Sequence, residues 1–126
     1  MGRLNPTQTI NYRTGGAIAA YRIVRHGGAD DLVVQAAGAT EAVFGVSTSI
    51  PSPANDRCDV VEEGIAEVEY GGTVTRGQLL VADAQGRAVA AAPAAGANVR
   101  VIGIAQESGV LGDIGSVKLA PGSLQG

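Results

Sequence analysis

Apolar positions in this chain come in short runs, and nearly every run is bounded by glycine, proline, asparagine or aspartate. That punctuation predicts short strands joined by tight turns. Alternation is cleanest in Ile65-Ala66-Glu67-Val68-Glu69-Tyr70. Ala66, Val68 and Tyr70 fall on one face and Glu67 and Glu69 on the other, so an amphipathic strand with one wet side is expected. AIAAYRIVRH, after Gly15-Gly16, reads as the first strand of the body, and LVVQAA as the second. AVFGVSTSI, ANVRVIGIAQES and GSVKLAPG continue the pattern, with the proline-rich loop 51–56 between the first two of these. Gly103 inside an apolar run predicts a bulge or a close backbone approach. The clearest hairpin is LLVAD and RAVAA around Asp83-Ala84-Gln85-Gly86. Its leading acid can accept backbone N–H bonds, and its closing glycine can take a positive φ.

No segment sustains a helical period; at most a short helix is expected near 38–43. The pattern therefore predicts an all-β fold, a compact small barrel or sandwich of about eight or nine short strands. It excludes an α/β nucleotide fold, which needs long alternating helices. Residues 1–14, MGRLNPTQTINYRT, are different. They are polar, lack a sustained period and would not fold alone. We read them as an extended N-terminal arm ahead of a β-rich domain at 15–126. Between a disordered tail and a segment that orders against a partner, the second is favoured, with Leu4, Ile10 and Tyr12 as spaced anchors. When free, the arm is expected to be disordered. The first ten residues hold no apolar leader, and no run approaches the length of a membrane span.

Composition sharpens this picture. The chain has 126 residues, 45% of them apolar, yet its aromatics are only Tyr12, Tyr21, Phe44 and Tyr70. Valine, isoleucine, leucine and alanine must fill the core, and small side chains supply less transfer energy each. Part of the stability is therefore expected from homo-oligomeric assembly. A net charge of −3 argues against a nucleic-acid partner. The charges are uneven, however. Arg3, Arg13, Arg22 and Arg25 occupy residues 1–25 without an acid, while Asp59, Glu62, Glu63, Glu67 and Glu69 form a stretch without a base. These are either solvated faces or complementary ends for assembly.

Candidate chemistry changes little. The single lysine, Lys118, stands in VKLA, so no phosphate-binding loop exists. His26 has no second histidine and reads as a loop residue at a Gly27-Gly28 turn. Cys58 is alone and reads as a small core hydrophobe, which rules out an internal disulfide and metal-site spacing. Glu67 and Glu69 would stand about 7 Å apart on one strand face, with nothing to orient a substrate. GGTVTRGQLL is similar to a biotinyl or lipoyl carrier hairpin, but no lysine stands at its tip. No catalytic, cofactor or metal site is expected, and the chain is not read as an enzyme.

Taken in order, GAIAAYRIV, FGVSTS, GIAEVEYGGTVTRGQLLVADAQGRAVAA, VIGIAQESG and GSVKLAPG resemble the small capsid decoration, or cement, proteins of tailed bacteriophages. The resemblance runs from about Gly16 to Leu119 and is strongest from Gly77-Gln78-Leu79-Leu80 to Asp83, Gly86, Arg87, Ala88 and Val89. Members of that family have sometimes been labelled RecA-type recombinases, a label the missing lysine motif opposes. The resemblance implies a structural protein of the virion, made in the host cytoplasm. It would bind the outside of an expanded icosahedral head and stabilise it against internal DNA pressure. It also implies an N-terminal arm that runs over the major capsid protein and adds a strand to it. Here Arg3, Leu4, Ile10, Tyr12 and Arg13 would make that contact. By analogy with other decoration proteins a trimer is favoured, with a dimer as the rival. The alternative is a head-surface binding module, such as a fibre base or a glycan-binding domain. This alternative ranks well below the decoration reading, because a ligand groove for sugars is usually lined by aromatics and the four present here are not expected to cluster.

Overall fold

The structure, a computed structural model, describes residues 4–126. Nine strands follow one another: β1 (Asn5–Thr14), β2 (Ile23–His26), β3 (Leu32–Gln35), β4 (Val43–Ser47), β5 (Arg57–Glu69), β6 (Leu79–Ala82), β7 (Ala88–Ala90), β8 (Asn98–Ala105) and β9 (Ile114–Gln125). No helix occurs among the described residues, and 38–41 is a turn closed by Glu41 Oε1, which accepts the Ala37 N–H at 2.7 Å. The fold is all-β.

All nine strands belong to one sheet, in the order β1-β3-β2-β4-β5-β9-β8-β6-β7. β1 also pairs with β5, so β1, β3, β2, β4 and β5 close into a ring. Only the β1–β3 contact within that ring is parallel. The other half, β5-β9-β8-β6-β7, curls back in the same way. Just past β5, Tyr70 makes a parallel bridge to Ala88 of β7, and the Gly71 N–H donates to the Ala88 carbonyl at 2.8 Å. β5 is thus the wall shared by two rings.

This shared wall explains the composition. Successive strand residues face opposite sides. Val60 lies in one buried cluster with Ile18, Val24, Val33 and Cys58, whereas Val61 lies in the other with Ile23, Val46, Val68 and Tyr70. Strands buried on both faces need compact β-branched residues on both faces. Cys58 is a core residue as the sequence suggested, and burial pushes its thiol pKa up. Ala66, Val68 and Tyr70 share the buried face predicted for them. Gly103 marks a register shift between β8 and β9.

The predicted hairpin is formed by β6 and β7. Asp83 Oδ1 accepts the N–H groups of Gln85 and Arg87, both at 2.9 Å, and Oδ2 takes Arg87 Nε at 3.0 Å. Gly86 has φ +74°. Asp83→Ala should cost about 1–3 kcal/mol, because it takes the acceptor from two turn amides and breaks the Arg87 ion pair together. Urea denaturation checks this, and a loss below about 0.5 kcal/mol would contradict it.

Two expectations need adjusting. AIAAYRIVRH is a strand only over Ile23–His26; the preceding residues are irregular, with a single bridge from Ile18 to Ser52 and Tyr21 at φ +59°. Of the segment 1–14, expected to be disordered when free, Asn5–Thr14 form strand β1, and residues 1–3 lie outside the described residues. The strand carries no period of its own because β5 orders it, through pairing from Asn5↔Ile65 to Arg13↔Arg57.

Candidate docking surface

β1 consists of two unlike halves. In the C-terminal half, side chains reach into the body. Tyr12 packs against the inner cluster and meets Phe44 edge-on, with ring centroids 5.5 Å apart. Its hydroxyl donates to Glu62 Oε2 at 2.5 Å. Asn11 Nδ2 donates to Asp59 Oδ1 at 3.0 Å, and Arg57 Nε donates to Asn11 Oδ1 at 2.6 Å. Arg13 forms a two-pronged pair with Asp31, Nε to Oδ2 at 2.7 Å and Nη2 to Oδ1 at 3.0 Å. That guanidinium holds the Asp31 carboxyl below the usual carboxylate range. Thr14 is buried, and its hydroxyl donates to the Pro53 carbonyl at 2.7 Å.

The N-terminal half is exposed from Leu4 to Thr9, and Leu4 keeps 57% of its surface. The β1–β5 register slips twice here, between Pro6 and Gln8 and between Gln8 and Thr9. Gly64 of β5 makes the slip possible. It sits at φ +90°, and a Cβ there would stand 2.8 Å from the Thr7 nitrogen and crowd the Asn5 carbonyl. On its other side β1 meets β3 only at Arg13 and Thr14. Its edge from Asn5 to Tyr12 is therefore open among the described residues, a template for one more strand.

Of the five residues expected to contact a partner, Arg3 lies outside the described residues. Leu4 is free to do so. Ile10 is half-buried opposite Val60. Tyr12 and Arg13 are engaged within the chain. The acidic stretch and the arm do meet, but through Asn11–Asp59 and Tyr12–Glu62, while Arg13 turns to Asp31 and Arg22 pairs with Glu69 at 3.3 Å. Two of the four aromatics, Tyr12 and Phe44, meet in space. His26 stacks on Phe44 at 4.0 Å, with Tyr12 on the same ring. Separation along the chain hid this grouping.

Half-buried Tyr12 and buried Tyr70 give a pH signature. Desolvation pushes Tyr12 and Tyr70 up to about 12; for Tyr12 the hydrogen bond to Glu62 adds to it, and for Tyr70 the charges of Glu107 and Asp113 do. A phenol whose folded pKa lies above its unfolded value of 10.0 favours the folded state fully below pH 10. That contribution disappears as pH rises from 10 through about 12. Stability should fall over this window, and Tyr12→Phe should flatten the fall in chemical denaturation. An unchanged slope would contradict the assignment.

The described features define an all-β structural module that presents an open strand edge. The chain belongs to the phage cement protein family, whose model matches residues 4–119. It is accordingly a structural protein of the phage head, and the family is not an enzyme class. Among solved structures the chain is similar to the N base of the head fiber gp8.5 of bacteriophage phi29. The TM-score is 0.66 at 19% identity, over 90% of this chain and 93% of that one. That likeness shows a shared fold. No curated protein sequence matches the chain.

Proposed function

We propose that this protein binds the outer surface of an expanded icosahedral phage head, with the major capsid protein as its partner and β1 as the docking element. Family membership over residues 4–119 carries the reading. The open edge of β1 supports the mode, because unpaired backbone groups can take up a partner strand without chemistry at any side chain. Weak contacts of this kind gain strength when a symmetric lattice repeats them. A trimer, with a dimer as rival, is the assembly proposed, and it would cover small-residue surface that a thin core leaves exposed.

The test is co-sedimentation with expanded, undecorated heads, using the full chain and a form lacking residues 1–9. Removing all of 1–14 would also extract Tyr12 from its cluster and open the first ring, confusing docking with folding. Saturable binding by the full chain, lost or weakened in the shortened form, is expected. Equal binding by both would move the interface away from β1. A second reading, a base that carries another head-surface element, is favoured by the fold shared with a head-fiber base. The two readings differ in outcome: a cement role predicts that bound protein raises the temperature at which heads open, and a base alone predicts no change.

A further inference from the structure

The sheet face beside the N-terminal half of β1 is concave. A groove of about 210 Å³ is lined by Leu4, by Pro6 and Thr9 of β1, and by Tyr21, Thr48 and Glu67. Its lining also reaches Val61, a residue of the buried core. A second hollow of about 520 Å³ is lined by Ile65, Arg76, Glu107 and Ser116. Ile65 and Glu67 are two residues apart on β5, so they point to one face. Apolar surface rims the smaller one: Leu4 is 57% exposed, and Ile50, next to lining residue Ser49, is 69% exposed.

Charge says what kind of segment fits. Glu67 makes no hydrogen bond or ion pair among the described residues, unlike Glu62 and Glu69 on the same strand. Glu63, opposite Gln8 of β1, is likewise unpaired there. An occupant with a lysine or arginine beside an apolar side chain would meet both features at once. The Glu67 carboxylate would then be matched by the opposite charge on docking, which selects a partner as well as holding it.

We propose that this groove receives an extended segment of the head shell protein, with an apolar side chain seated between Leu4 and Tyr21 and a cationic side chain at Glu67. The inference rests on the head-binding reading and narrows it: contact is made by the groove face, Leu4 and the Asn5–Thr9 half of β1, not by Tyr12 or Arg13, which hold the strand to the body.

The experiment compares the full chain with Leu4→Asp and Glu67→Lys in binding to expanded, undecorated heads, with Arg100→Glu on β8 as a charge control away from the groove. Neither Leu4 nor Glu67 makes a side-chain bond, so both variants should fold; thermal denaturation verifies that. Each should weaken binding about tenfold or more, with the control unchanged. If the unaltered chain binds and both groove variants bind equally well, the groove inference is wrong and the head-binding reading stands. If the unaltered chain does not bind, the head-binding reading itself fails. Sedimentation velocity without heads covers the other occupant: a drop in oligomeric state for Leu4→Asp or Glu67→Lys would show that the groove takes a second copy of this chain, which overturns the proposal.

Discussion

Tyr70→Ala should lower the unfolding free energy by about 3–5 kcal/mol, the largest loss expected from a single truncation in this chain. Tyr70 is its largest fully buried side chain. Its hydroxyl donates to the Glu107 carbonyl at 2.7 Å, its N–H donates to the Asp113 carbonyl at 2.8 Å, and its bridge to Ala88 closes the second ring. The ring lies so close to Gly115 that a Cβ there would fall on it. Truncation would leave a cavity and release the Glu107 carbonyl, while the backbone bonds to Asp113 and Ala88 stay in place. Gly115→Ala attacks the same contact from the opposite side and should cost about 1–3 kcal/mol through overpacking. Urea denaturation followed by circular dichroism measures both. A Tyr70→Ala loss below about 1 kcal/mol would mean that the second ring does not depend on this residue.

Gly64→Ala should act locally and still have a large effect on docking. The substitution forces an L side chain to φ +90° and places its Cβ against the backbone of Asn5 and Thr7. Strain and overlap together should cost about 1–3 kcal/mol, relieved most readily by releasing the N-terminal half of β1. The C-terminal half should stay in place, because Tyr12, Arg13 and Thr14 anchor it independently. Hydrogen exchange should accelerate at Thr7 to Thr9 and remain slow in β6 and β8. Head binding should fall with it, since that half carries both the exposed residues and the open edge. Unchanged exchange at Thr7 to Thr9 would show that Gly64 does not pin the strand.

Much of this fold is legible in the sequence, for physical reasons. Where a strand has one buried face and a turn with specific chemistry, local pattern is enough: Ala66-Val68-Tyr70 and the Asp83–Gly86 turn are both found as expected. The first strand is invisible because its order comes from β5, some fifty residues away, and because its exposed half needs only polar residues. Gly64 does carry a signal in the sequence: a lone glycine interrupting an apolar and acidic run marks a bulge. The aromatic group of Tyr12, Phe44 and His26 is likewise a product of ring closure. The groove could not be read either, since Leu4, Tyr21, Thr48 and Glu67 come from four separate segments.

The most direct test of the account is whether the purified chain binds expanded, undecorated heads and raises the temperature at which they open. Saturable binding at a fixed copy number per head, with a higher opening temperature that is lost when residues 1–9 are removed, is the predicted result. Heads that bind no protein, or bind it and open at the same temperature as bare heads, would contradict the cement role.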